Sequence, residues 1–219
     1  MGLSVEKNPD YDSFLESVNR SADNYLGAAS RVLKNLTADD LRKNAMVHPD
    51  GFLKLQIGPN NWVHDGQVRL HLWIPGREGT KQPHSHPWHL ASWVVAGSYN
   101  EYLPKLHEVT DGQLAHYRIA YPSSTDQRLG VTRIGESVFT TETGSLQTTP
   151  EGGIHALPAG PTHMSAPDGR GGVTLAVMSP RFKDEAEFWA PNADPYIETI
   201  NSDEIDGIMQ VISGIRGNL

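Results

Sequence analysis

The residues best placed to do chemistry are His84, His86 and His163. His84 and His86 stand one residue apart within GTKQPHSHPWHLASWVVAG, Gly79 to Gly97. On a strand, residues i and i+2 face the same way, so His-x-His sets two imidazoles side by side. Together they can take one metal ion if a neighbouring strand supplies a third ligand. His163, at the end of GGIHALPAGPTH, is the best candidate for it. Three neutral imidazoles would leave a divalent ion its full charge and roughly three open positions for small molecules. Imidazole suits Fe, Zn, Ni and Cu, and Mn less well, so the ligand types do not name the ion.

Two spaced patterns surround these histidines. Gly79, His84, His86 and Gly97 form the first; Gly152, Pro158, Gly160 and His163 form the second, as a glycine, five residues and Pro-x-Gly-x-x-His. Together, in this order, they resemble the paired motifs of the cupin superfamily, with four residues instead of five between Gly79 and His84. The resemblance covers about residues 50 to 185. It implies a mainly β double-stranded β-helix, or jelly-roll barrel, with His84, His86 and His163 as inward-pointing metal ligands. The family's glutamate position falls on Leu90. A set of three histidines without a carboxylate is similar to the branch that includes thiol dioxygenases such as cysteine dioxygenase. The stretch TLAVMSPRF, Thr174 to Phe182, also resembles a strand of those enzymes that ends Ser-Pro-x-Phe. That strand carries Ser, His and Tyr at alternate positions, where this chain has Thr174, Ala176 and Met178. No arginine stands clearly where the family holds a substrate carboxylate.

What the resemblance implies is a mononuclear non-haem Fe(II) oxygenase acting on a small polar metabolite other than cysteine. Substrate and dioxygen would share the three-histidine site. The alternatives are a Zn-, Ni- or Mn-dependent lyase or isomerase and a non-catalytic ligand-binding barrel, with Cu a further choice of metal. His155 and Tyr102 are the candidate catalytic residues: His155 lies on the second motif, and Tyr102 offers a proton or hydrogen bond to a bound ligand. His89 lies on the opposite face from His86 on a regular strand and becomes a fourth ligand only if the chain bulges at Pro87. Trp88, Trp93 and Tyr99 read as core or pocket wall. Arg69, Lys81 and Arg133 are either partners for an anionic substrate or solvated surface charges. His48, His64, His71, His107 and His116 have no motif behind them.

The elements that must position these groups follow from periodicity. Residues 10 to 45 read as helix, with Phe14, Val18, Ala22 and Tyr25 at steps of three and four. Thr37, followed by Asp39 and Asp40, marks a new helix start. From Gly51 the period becomes two. Phe52 to Ile57 and Val68 to Ile74 are strands, the second with Leu70, Leu72 and Ile74 on one face and Arg69, His71 and Trp73 on the other. Residues 90 to 103 read as a hairpin turning at Ala96 to Ser98. An insertion is expected over 104 to 130, two strands over Val131 to Thr149, and a short strand over Val173 to Met178. Residues 184 to 200 read as irregular. A last helix begins near Asp203, capped by Ser202 or Asp203, with Ile205, Ile208, Met209 and Ile212 on one face. The expected organisation is a helical cap over 1–48, the barrel over 49–185 and an extension with a helix over 186–219. The mouth of such a barrel is a natural small-molecule pocket.

Bulk properties narrow the classes further. A chain of 219 residues is long enough for a sizeable core. Its net charge of −8, with no run of Lys and Arg, argues against nucleic acid and anionic membranes as partners. With no cysteine, disulfides, thiolate ligands and a cysteine nucleophile are excluded. No apolar run reaches signal-peptide or membrane-helix length, so a cytoplasmic protein is expected. The expected partners are a small-molecule substrate and dioxygen, with a homodimer implied by the resemblance alone.

Overall fold

The computed structural model describes residues 10–48, 50–58, 66–77, 82–121, 130–167, 169–192 and 200–217. Two antiparallel sheets carry the chain. The first comprises β1 (Met46–His48), β2 (Phe52–Gln56), β3 (Gln67–Trp73), β4 (Leu90–Ala96), β8 (Ile154–Leu157) and β10 (Gly172–Met178), in the order β1-β2-β3-β10-β4-β8. The second comprises β5 (Ser98–Val109), β6 (Leu114–Ala120), β7 (Gly130–Pro150), β9 (Met164–Pro167) and β11 (Glu185–Ala190), in the order β11-β6-β7-β5-β9. This is a jelly-roll β fold with helices at both ends. Among the described residues, no helix is long and apolar enough to cross a membrane.

The central strands of the first sheet, β3, β10 and β4, are buried on both faces, for different reasons. Leu53, Leu55, Leu70, Leu72, Ile74, Ala91, Trp93, Val173, Leu175 and Val177 pack with residues of the helices in one apolar cluster. The helices are α1 (Tyr11–Arg20), α2 (Ala22–Asn35), α3 (Ala38–Asn44) and α4 (Ser202–Arg216). Period-two alternation then turns Lys54, Arg69, His71, Trp73, Ser92, Thr174 and Ala176 to the other face, into the barrel. The outer face is uniformly apolar, whereas the inner face mixes these polar groups with the apolar clusters around Trp73 and Trp88.

The helix starts follow capping chemistry. Thr37 and Asp40 form a capping box at α3. At α4 the N-cap is Asn201, one residue before the expected Ser202, because its side chain accepts from the Glu204 amide while Glu204 reaches back.

Three expectations need correction. Residues 90 to 103 are not a hairpin: β4 and β5 belong to different sheets, and Gly97 carries the chain from one to the other. Gly97 has φ 81°, and a Cβ there would stand 2.8 Å from the Gly171 carbonyl oxygen, so the crossing needs glycine. Val131 to Thr149 is one long strand, β7, which pairs first with β6 and then with β5. Its register shifts opposite Leu103/Lys105 and Ala115/Tyr117 broke the alternation that a single strand would show. Residues 185 to 190 are β11, paired with β6, so barrel strands run beyond the expected end at 185. The segment expected as an insertion supplies the second half of β5 and all of β6; its residues 122–129 lie outside the described residues.

Candidate metal centre

His84 and His86 lie on an extended segment just before β4, not on the strand expected there. Reciprocal backbone bonds hold this segment: the His84 amide donates to the His163 carbonyl at 3.0 Å, and the His163 amide donates back at 2.9 Å. On its other side the Ser85 amide donates to Glu187 O at 2.9 Å, and the Trp189 amide to Pro83 O at 2.9 Å. The Gly160 amide donates to His86 O at 3.0 Å, which ties the second motif to the first. The two half-motifs are thus laced together by backbone. One ligand nitrogen from each of His84, His86 and His163 lies within 4.8 Å of the others.

The tautomers suit a metal. His84 Nδ1–H donates to Gln82 O at 2.9 Å, an acceptor without a proton, so Nε2 is the bare nitrogen. His163 Nδ1–H donates to Glu101 Oε1 at 2.5 Å. Its Nε2 is buried and has no hydrogen-bond partner among the described residues. An orphaned buried nitrogen beside two further imidazoles fits a cation directly. Burial holds His163 down to about 4, with the charge of His84 adding to it and Glu101 opposing. Burial also pulls His86 well below its ordinary value. Neutral imidazoles are the form that binds metal.

Glu101 is the residue the sequence reasoning missed. It is 2% exposed, on the same inward face of β5 as Tyr99. Its two oxygens touch two histidines, His163 Nδ1 and His155 Nε2. Burial pushes the Glu101 carboxyl up, but those two contacts outweigh it and hold the group below its ordinary value. A carboxylate behind a ligand histidine fixes the ring and raises its basicity. The phase of β5 was the available signal, since Tyr99 and Glu101 share one face.

His155 is 1% exposed on β8, with its ring 5.0 Å from Tyr99. The structure brings it to the cluster through Glu101. Tyr99 Oη lies 2.7 Å from Ser165 Oγ, completing a buried polar layer. Tyr102 is not brought there: it is partly buried and sits on the face of β5 opposite Tyr99 and Glu101.

Asp50 was also missed. It is 3% exposed, with Oδ2 3.6 Å from His48 Nδ1 and 3.9 Å from His84 Nε2. Burial raises its carboxyl above the ordinary range. His48 stacks on Phe52 at 4.3 Å, and Phe52 on His71 at 4.3 Å. Histidines without a motif therefore line the interior because alternation puts them there.

The other candidates separate cleanly. His89 accepts from the Ala159 amide through Nδ1 at 2.9 Å and packs near Phe14 and Phe182, away from the cluster. Trp88 is buried in an apolar cluster and stacks on His86 at 5.1 Å, whereas Trp93 packs on the helix side. Arg69 is buried and faces the barrel interior. Arg133 is exposed on β7, and His107 pairs with Glu142 at the surface. His116 stacks on Trp189 at 4.4 Å. Gly79, Lys81 and His64 lie outside the described residues.

No protein-family model matches the sequence, and no curated protein matches it. Among solved structures, an RmlC-like cupin from Shewanella frigidimarina NCIMB 400 is 14% identical, with TM-score 0.36, over 64% of this chain and 86% of that one. A hydroquinone 1,2-dioxygenase crystallised with Cd2+ and 4-hydroxybenzonitrile is 15% identical, with TM-score 0.34, over 68% and 75%. The capsular polysaccharide assembling protein CapF from Staphylococcus aureus is 16% identical, with TM-score 0.30, over 78% and 42%. At such values the names describe those proteins and not this one.

Proposed function

We propose that this barrel is a metal-dependent enzyme of the cupin type, with one divalent ion held by His84, His86 and His163. The observation that carries the reading is the convergence of three imidazole nitrogens within 4.8 Å, two of them with Nδ1 committed to an acceptor. We infer further that it is a mononuclear Fe(II) oxygenase for a small polar metabolite. When bound, the ion would supply a redox-capable Lewis acid with open positions for substrate and dioxygen. Glu101 orients His163 and His155, Trp88 stacks on His86, and Tyr99 packs against His155, so the polar layer behind the ligands is buried. Thr174, Ala176 and Met178 face inward, so the alternate positions of β10 offer no His or Tyr to a substrate. That supports a substrate other than cysteine.

Asp50 favours a second reading. A carboxylate 3.9 Å from His84 Nε2, with its affinity for protons raised by burial, is suited to proton transfer in a lyase or isomerase. Oxygen dependence separates the two. Protein loaded anaerobically with Fe(II) is expected to consume dioxygen when small thiols, amines or carboxylates are added. Turnover with Zn(II) in the absence of oxygen would instead establish the second reading.

A further inference from the structure

Lys54 and Arg69 stand together on the inner face of the first sheet with no anion between them. Lys54 pairs in register with His71, and Gln56 with Arg69. The two cations are therefore diagonal neighbours on one face, with β-carbons about 7–8 Å apart and side chains long enough to meet. Arg69 is 9% exposed; its Nε has no hydrogen-bond partner, and its Nη1 meets the neutral Gln67 Oε1 at 3.4 Å. His71 Nε2, in the same row as Lys54, is also buried and unpartnered. Among the described residues no carboxylate pairs with Arg69. The interior acids are engaged elsewhere, Glu101 with His163 and His155, and Asp50 beside His48 and His84.

Two adjacent cations in a barrel oppose folding unless one of them changes its charge. Burial lowers Lys54 to about 7, the charge of Arg69 adds to the shift, and Asp50 opposes it less strongly. At neutral pH about half of the Lys54 amines are then free base, against roughly one in a thousand or fewer for an ordinary lysine. A desolvated lysine next to another cation is a nucleophile. Its neighbour here is a guanidinium without a counter-ion, suited to the negative charge that a reaction creates.

Carbon dioxide is the electrophile whose product fits this place. The Nζ lone pair adds to its carbon, one C=O electron pair moves onto oxygen, and an amine proton leaves to water: R–NH2 + CO2 → R–NH–COO− + H+. No oxidant, reductant or metal enters the balance. The product is a planar carbamate, whose two oxygens match the fork of a guanidinium. Lys54 is only partly buried, so a small neutral molecule dissolved in water can reach it. Two like charges become an ion pair.

We propose that Lys54 is a carbamylation site, where Nζ takes up carbon dioxide and Arg69 holds the carbamate. The site lies on strands outside the two histidine motifs and works with or without a bound ion.

The test equilibrates metal-free protein, labelled with nitrogen-15 at lysine Nζ, with carbon-13 bicarbonate at neutral pH. Carbon NMR is expected to show a carbonyl split by one bonded nitrogen, a signal that dissolved bicarbonate and a carbamate on the α-amino group both lack. Triethyloxonium should trap it as an ethyl ester that peptide mass spectrometry places on Lys54. The parent Tm should rise with dissolved carbon dioxide, since uptake by the folded chain stabilises it. Lys54→Met should lose both the signal and the Tm response. Arg69→Met is expected to bind carbon dioxide about tenfold or more weakly, while reductive methylation of Lys54, which reads the free amine alone, falls far less. No split carbonyl in the parent at saturating carbon dioxide would overturn the proposal, whatever the variants do. So would trapping at other lysines in place of Lys54. An equal fall of carbamate and methylation in Arg69→Met would overturn the role given to Arg69.

Discussion

Glu101 makes a testable claim about single residues. It touches no metal in this account, yet it fixes which nitrogen of His163 is free. Glu101→Gln keeps the size but removes the charge. It is expected to weaken Zn(II) binding about 10- to 100-fold without unfolding the chain. Competition against a chromophoric chelator measures this, and undiminished affinity would remove Glu101 from the site. The histidines were legible in the sequence because spacing alone, His-x-His and Pro-x-Gly-x-x-His, reports them. Glu101 and Asp50 were not, because nothing local separates a buried acid from a surface one. Arg69 was legible only as one of two possibilities: its face of β3 was assigned, but not which side of the sheet was the interior.

Among the elements, the crossing at Gly97 decides whether β5 faces the site. A hairpin at Ala96 to Ser98 would have kept β4 and β5 in one sheet and taken Glu101 away from His163. Gly97→Ala places a Cβ at positive φ and 2.8 Å from a carbonyl oxygen. It is expected to cost about 2 kcal/mol in urea unfolding. A variant as stable as the parent would show that the crossing tolerates a side chain. One-glycine turns between strands look alike in sequence whether they fold back or cross over, which is why this one was misread. The helices were plainer, since Thr37 with Asp40 and Asn201 with Glu204 carry their starts in local chemistry. β11 escaped notice because its half-buried pattern, from Glu185 to Ala190, follows no strict alternation.

On the scale of the whole molecule, one sheet does two jobs. Its outer face gives the helices an apolar floor that includes Leu53, Leu70, Leu72 and Leu175, all fully buried. Its inner face is free to carry Lys54, Arg69 and His71, groups that oppose folding by their burial. The apolar burial of the helix–sheet layer offsets the cost of holding these groups in the interior. The pairing of the two histidine motifs across sequence was legible before the structure. The separation of roles between the two faces was not, because alternation shows that two faces differ without saying which one the helices cover.

The most direct measurement is metal content by elemental analysis of the purified chain and of His86→Ala, each after anaerobic exposure to Fe(II). A metal held by His84, His86 and His163 requires about one ion per parent chain, and little or none in a variant that keeps its fold by circular dichroism. Equal metal in the two proteins, or none in the parent, would contradict it.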